Sequence, residues 1–324
     1  MTVYLVGRLE KTFTMHTAYI THPICAKHFI ASWHPETPAR LTAIDDRLHA
    51  ARLYDHLHHY PRASSATREH LIRAHTPEYV DLIFEHAPKA RGEYWDIDGD
   101  TAMNEHSLDA ALRAAGAGVL AVDEIMAGRV QNAFCAIRPP GHHATRRQGM
   151  GFCIFNNVAI AARHALEQHG LNRVAVVDFD VHHGNGTEDI FRDDPRAMLC
   201  STFQHPFYPY SGADTVSDHI VNVPLPAGTT GKTYRAAFEA RILPALEAFK
   251  PEFIFFSAGF DSHREDDMGQ FGLVEADYVW ITETVLDIAA RHAENRVVSM
   301  LEGGYDLSSL GRSVAAHVKT LAAL

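Results

Sequence analysis

Four stretches of this sequence end an apolar run with residues able to bind a metal or move a proton, each with glycine alongside. They are Arg138-Pro139-Pro140-Gly141-His142-His143, Asp178-Phe179-Asp180-Val181-His182-His183-Gly184-Asn185-Gly186, Ala258-Gly259-Phe260-Asp261 and Glu302-Gly303-Gly304-Tyr305-Asp306. In the second, Asp178, Asp180 and His182 alternate with Phe179 and Val181, so in extended backbone the three polar side chains leave one face. Two carboxylates and an imidazole are costly to bury there without a cation or polar partners. Asp261 completes an Asp-His-Asp set, and three protein ligands with an open position is the arrangement of a catalytic rather than a structural zinc. The set is harder than a histidine-rich one, so iron(II) or cobalt(II) can compete for it.

The tandem His142-His143 is approached through two prolines and a glycine, with Asp178 and Asn185 available for its ring nitrogens. A histidine base needs its second nitrogen held by an acceptor, which fixes tautomer and orientation. We assign Asp178 to His142 and Asn185 to His143. A carboxylate raises its partner's pKa by charge and an amide does not, so the two imidazoles should titrate apart. Tyr305 follows two glycines that free the backbone and can donate its hydroxyl to an oxyanion. Phe152, in Gly151-Phe152-Cys153, and the run Phe207-Tyr208-Pro209-Tyr210 can wall an apolar slot leading to the metal. His58-His59, with neither strand nor glycine hinge before it, reads as a solvated face.

These residues need strands behind them. Residues 133–137, 174–178, 198–201, 253–257 and 297–301 are short, almost wholly apolar runs, the pattern of parallel strands buried on both faces. Residues 107–126, 157–168, 232–249, 276–293 and 308–321 have helical period. The alternation predicts an α/β chain, with helices on both faces of a mainly parallel sheet in three αβα layers. Ligands of such sheets bind beyond the carboxyl ends of the strands, where all four stretches fall. Earlier in the chain, residues 38–57 and 67–86 read as helices and 93–100 as a loop. No repeat, linker or charge block marks a boundary, so residues 1–324 read as a single domain.

Composition narrows the function classes. With 29 Lys and Arg against 40 Asp and Glu, the formal charge of −11 excludes a sequence-independent nucleic-acid binder. Hydrophobic content of 46% and charged content of 21% exclude a disordered chain. The four cysteines have no close spacing, which argues against a disulfide framework or a thiolate zinc knuckle. The apolar stretch before Arg8 is too short for a signal peptide and no run has membrane-helix length, so a cytoplasmic protein without membrane contact is expected. Of the 23 histidines, His142, His143 and His182 take chemical roles, with His183 a structural neighbour.

Taken together, RPPGHHA, GFCIFNN, DFDVHHGNGT, SAGFD and LEGGYD, with HPETPARL at residues 34–41, resemble the histone deacetylase family of arginase-like folds, in order from residue 34 to about 312. Asn185, where some members have aspartate, and Glu302 resemble the class II and bacterial branch. Tyr305, in place of the histidine of weakly active members, implies a competent deacetylase. The resemblance implies an eight-stranded parallel sheet and one zinc at Asp180, His182 and Asp261. It implies His143 as general base and acid, with His142 an electrostatic helper supported by Asp178. Phe152 and Tyr208, with Gly151 beside them, would line an acyl-lysine tunnel. Asp98 or Asp100 would be the rim acid that holds a substrate backbone. Potassium would lie under the site on Asp178, the backbone of Asp180 and His182, and Ser201.

The implied reaction is zinc-dependent removal of acetyl or other acyl groups from lysine side chains of a peptide or protein, releasing acetate and free amine. An acetylated polyamine or another small amide is the alternative substrate. In polyamine deacylases of the family a glutamate at the position resembling Met268 recognises the distal ammonium. Methionine cannot pair with a cation, which turns the reading toward acyl-lysine, although Glu265, Asp266 and Asp267 sit close by. A binuclear manganese ureohydrolase would need further carboxylates where residues 257–261 supply one. A non-catalytic acyl-lysine binder would not need every catalytic position filled. Homo-oligomerisation is left open.

Overall fold

The alternating runs assemble into one eight-stranded sheet in which every neighbouring pair is parallel. The computed structural model describes residues 16–324; the N-terminal stretch read above against a signal peptide lies outside them. The first part of the chain runs β1 (Thr17–Ile20), α1 (Ala39–Ala50), β2 (His58–Tyr60), α2 (Arg68–Ile72), α3 (Pro77–His86), β3 (Trp95–Asp98), β4 (Thr101–Met103) and α4 (Ser107–Met126). The middle runs β5 (Asn132–Cys135), α5 (Asn157–Gln168), β6 (Val174–Asp178), α6 (Asn185–Phe191), β7 (Ala197–Gln204) and β8 (Ile220–Leu225). The last part runs α7 (Gly231–Phe249), β9 (Phe253–Ala258), α8 (Glu275–His292), β10 (Val297–Leu301) and α9 (Leu307–Leu321).

Strand order is β2-β1-β5-β10-β9-β6-β7-β8. The four strands that carry the chemical stretches, β5, β10, β9 and β6, are therefore adjacent at the centre. β5, β6, β9 and β10 are buried along their whole length, as strands covered on both faces must be. Helices α1, α8 and α9 pack together over one face and α4 with α5 over the other. All four cysteines are buried and unpaired. No helix among the described residues is long and apolar enough to cross a membrane.

Several local expectations are corrected. Residues 93–100 are not simply a loop: β3 and β4 form an antiparallel hairpin. Trp95 stacks on His86 with ring centres 5.0 Å apart, and Ile97 packs on the core, which holds the hairpin although its alternate residues are acidic. The helix expected over 38–57 stops at Ala50, where Arg52 turns left-handed with φ 57°. The helix expected over 67–86 divides because Pro77 starts a new helix, capped by Thr76 accepting from Tyr79 N–H. His58-His59 belongs to the edge strand β2; His58 is exposed, while His59 stacks on Tyr54 at 4.0 Å. β1, β2 and β8 escape the apolar pattern because they are short, polar or interrupted by Pro224, which an edge strand tolerates.

Candidate active site

The carboxyl ends of β6 and β9 bring together Asp180, His182 and Asp261, whose ligand atoms all lie within 4.8 Å of one another. His182 Nδ1 is 2.9 Å from Asp180 Oδ1 and 3.3 Å from Asp261 Oδ2. Asp261 Oδ2 is buried with no hydrogen-bond partner among the described residues, and the carboxylate belongs to the cluster with lone pairs free to bind a cation. Gly259 and Gly303 flank the two carboxylates so closely that a Cβ at either would overlap them. Asp261 Oδ1 and Asp180 Oδ2 accept from Val181 and Gly303 N–H at 2.9 Å each, which orients both carboxylates. Burial, with the charge of Asp180, pushes the Asp261 carboxyl up to about 7. Burial opposes the charged form of His182, yet its two carboxylate neighbours raise it to about 10. Like charges so concentrated and buried fit a divalent cation.

The histidine pair sits in the loop after β5, with ring centres 4.0 Å apart. His142 Nδ1 is 2.9 Å from Asp178 Oδ2 and its Nε2 is 3.7 Å from Asp180 Oδ2, so a carboxylate faces each nitrogen. Burial works against its charge, but Asp180 and Asp178 prevail and lift it to about 10. His143 Nδ1 donates to Asn185 Oδ1 at 2.7 Å. That bond leaves the lone pair on Nε2. Burial, then the positive fields of His142 and His182, hold His143 well below the usual imidazole range. The two histidines are shifted in opposite directions, as their unequal partners require.

A cavity of about 270 Å³ opens over this cluster, lined by Asp100, His143, Gly151, Phe152, His182, Phe207, Tyr208, Asp267, Met268 and Tyr305. Its walls are aromatic. Tyr208 stands edge-on to His143 at 5.2 Å, and Phe152 edge-on to Tyr305 at 5.8 Å. Gly151 and Phe152 both have positive φ, 56° and 70°, and a Cβ on Gly151 would run into the His143 ring. Thr101 on β4 accepts the Phe152 N–H at 2.9 Å, so the hairpin buttresses this turn. Burial holds the Tyr305 phenol well above its usual value, hence protonated.

Of the two rim acids, Asp100 lines the cavity, whereas Asp98 lies on the hairpin outside that lining. The three acids before Met268 separate as well. Glu265 pairs with Arg312 at 2.7 Å, Asp266 accepts from Tyr305 and Asp306 N–H at 2.6 and 3.0 Å, and Asp267 lines the cavity. Below the cluster Ser201 is buried with its hydroxyl unpartnered among the described residues, next to Asp178 across the β6–β7 pair. His183 is held by Glu188 at 2.9 Å and Ser211 at 3.0 Å, a structural contact.

Sequence reading passed over a buried charge network behind Tyr305. Arg40 donates to the carbonyls of Gly304 and Glu302 at 2.6 and 2.5 Å, and its guanidinium lies 4.9 Å from the Tyr305 ring centre. Glu36 receives both Arg40 and Arg138, and Arg138 also reaches the carbonyls of Cys25 and His28. Burial would raise Glu36, but these cations and His28 hold it down to about 2. The signal was present as charged residues inside HPETPARL and RPPGHHA.

Known proteins resemble this chain along most of its length. A histone deacetylase domain matches residues 34–321. Uncharacterized protein slr0245 of Synechocystis is 40% identical over 91% of this chain and 96% of its own length. Chloroplastic histone deacetylase 14 of Arabidopsis thaliana is 37% identical over 89% of this chain and 73% of its own. Human polyamine deacetylase HDAC10 is 40% identical over 88% of this chain, which spans 44% of that longer protein. The crystal structure of the HDA15 HD domain superposes with a TM-score of 0.87 at 35% identity, covering 95% of this chain and 90% of that one.

Proposed function

The chain belongs to the histone deacetylase family, hydrolases of acetylated amides, and on the geometry of its site we propose a zinc-dependent amidohydrolase that removes acetyl or other acyl groups from lysine side chains of peptides or proteins. The observation that carries this reading is an aromatic-walled cavity lined by His143, His182 and Tyr305 together, with His182 in one buried cluster with Asp180 and Asp261. Asp180, His182 and Asp261 would hold a divalent cation, which when bound would supply Lewis acidity toward the acyl carbonyl and the attacking water. His143 Nε2, left with its lone pair by the Asn185 bond, takes the proton of that water. Tyr305 donates its hydroxyl to the oxyanion that develops on the acyl oxygen. His143 then returns the proton to the leaving amine, and His142, kept charged by Asp178 and Asp180, stabilises the negative charge of this sequence. Phe152 and Tyr208 flank the methylenes of the acyl-lysine, and Asp100 holds the substrate backbone at the mouth. The unpartnered Ser201 hydroxyl beside Asp178 supports a monovalent cation, potassium, beneath the site with the backbone of Asp180 and His182.

A second substrate reading rests on Asp267. Met268 in the lining cannot pair with an ammonium, but the neighbouring carboxylate of Asp267 can, and neither of the other two acids of the run is available. An acetylated diamine or polyamine would present its distal ammonium there. A parallel assay of an acetyl-lysine peptide, acetylspermidine and a neutral alkyl acetamide, with metal content on the same sample, separates the readings. We expect the peptide to have the highest kcat/KM. Acetylspermidine ahead of the peptide, with the advantage lost in Asp267→Asn, would replace acyl-lysine by a polyamine; inactivity toward all three in metal-replete protein would overturn the amidohydrolase itself.

A further inference from the structure

Glu302 follows β10, is fully buried, and has no part in the chemistry set out above. No ion pair reaches its carboxylate among the described residues, yet one of its oxygens is taken up by the loop that carries His142 and His143 and the other by β9. Oε2 accepts from Gly141 N–H at 2.6 Å and from His142 N–H at 3.1 Å, and Oε1 accepts from the Ser257 hydroxyl at 3.0 Å. One side chain thus ties three neighbouring strand ends: its own on β10, the loop after β5, and β9. The residue is itself fixed on both sides of its backbone. Its N–H donates to Ala258 O at 2.9 Å and its carbonyl accepts from Arg40 at 2.5 Å. The amides of Gly141 and His142 have no other acceptor among the described contacts. The far side of the loop is held separately, by Asn156 Nδ2 on Ala144 O at 3.1 Å and by Gly186 N–H on His142 O at 3.1 Å. Burial pushes the Glu302 carboxyl up to about 7 against the field of the nearby His142, and the three donors converging on it are what keep this buried group satisfied.

We propose that Glu302 is a positioning residue of the catalytic centre: its carboxylate fixes the Gly141-His142 amides, aims His143 Nε2 into the cavity, and so governs turnover rather than substrate or metal binding. It does not touch the substrate, the metal ligands or the reacting atoms. Its action is geometric, because two peptide units set where the His142 and His143 rings start. A glutamine can repeat this: the amide oxygen accepts both N–H groups and the NH₂ donates to the Ser257 hydroxyl, which can turn to accept. An aspartate keeps the charge but is one methylene too short to bridge the three strands. An alanine leaves two buried amides unpaired and the loop free to shift.

The inference rests on His143 being the base, so His143→Ala is assayed beside the Glu302 variants; if that variant stays active, the base assignment fails independently of Glu302. On the full chain with an acetyl-lysine peptide, Glu302→Ala should lower kcat by about 10- to 100-fold, since a misplacement near 1 Å can cost that much. Its KM and metal stoichiometry should match the wild type, and Glu302→Gln should recover most of the lost kcat. Should Glu302→Ala not fold, Glu302→Asp serves in its place, with slowed kcat and unchanged KM expected. A wild-type kcat in Glu302→Ala or Glu302→Asp overturns the proposal. So does metal lost in step with kcat, which would make Glu302 a support of the metal site. Glu302→Gln as slow as Glu302→Asp also overturns it, because neither charge nor reach alone would then explain the effect.

Discussion

Among the described residues two clusters bring carboxylate and imidazole donors within 4.8 Å of one another: Asp180, His182 and Asp261 at the sheet edge, and Asp123, His164 and His169 where α4 meets the end of α5. By proximity alone they are equivalent. In the second, Asp123 Oδ1 lies 2.7 Å from Nε2 of both histidines, a tighter arrangement than the first. What separates them is the far side of each donor. Arg73 donates to His164 Nδ1 at 2.7 Å, and a guanidinium has no lone pair to offer. His164 must therefore carry its proton on Nε2 and spend it on Asp123, so no lone pair of His164 faces the cluster. At the sheet edge, among the described residues, no guanidinium touches the donors, one carboxylate oxygen is unpartnered, and a cavity opens above. Burial differs as well: the Asp180 and Asp261 side chains are essentially inaccessible, whereas the Asp123 side chain is 43% exposed and can share its charge with water. A ligand set is thus defined by what its members do with their remaining atoms, and distances among them come second.

The sharpest way to break this contrast is to remove one carboxylate from each cluster. Asp180→Asn should abolish deacetylation and stoichiometric metal binding together, while Asp123→Asn leaves both at wild-type level, read by elemental analysis and peptide assay on the same samples. Metal lost from the Asp123 variant would put the ion in the wrong cluster. A smaller effect separates holding a metal from using it. Tyr305→Phe should keep the metal and lose about 10²–10³-fold in kcat, the usual cost of an oxyanion donor; an unchanged kcat would remove Tyr305 from the mechanism.

Next in size is the tautomer argument itself, which assigns the base by what sits on the other ring nitrogen. Asn185 gives His143 an uncharged acceptor, and His143 lies below the usual imidazole range. Asn185→Asp would place a negative charge there, which raises the imidazole pKa by about 1–3 units. A base must be unprotonated to act, so the acid limb of the kcat/KM profile should move to higher pH by a similar amount. A profile that stays put would mean that His143 is not the group titrating in it.

Much of this centre was legible from residue order. A polar residue ending an apolar run beside glycine recurs four times, and the alternation through Asp178, Asp180 and His182 fixes which side chains share a face. Strand order was not legible. β5 and β6 follow one another in sequence, yet β10 and β9, from the last quarter of the chain, insert between them, and their ends bring Tyr305 and Asp261 to the cluster. The hairpin at 95–103 was hidden because its acids alternate with one tryptophan and one isoleucine, too short a pattern to register. Nothing in the residue types of Glu36, Arg40 and Arg138 shows that they pair; only packing reveals that both arginines meet Glu36, all three buried, behind Tyr305.

The smallest expected effect is the one left to the second cluster, where hydrogen bonds replace coordination. Two imidazole N–H groups on one carboxylate are charge-assisted bonds, but with Asp123 nearly half exposed their net worth is about 1 kcal/mol or less. Burial would raise the Asp123 carboxyl, yet the bonds from His164 and His169 prevail and leave it below its ordinary value. A carboxylate depressed in the folded state adds stability that is complete above the unfolded pKa and is lost as pH falls through the folded one. Asp123→Ala should therefore lower thermal stability slightly near neutral pH, and its deficit against the wild type should shrink in the acid range. A deficit that instead depends on added zinc and is insensitive to acid would show the cluster coordinating a metal after all, and the tautomer imposed by Arg73 would be the step that failed.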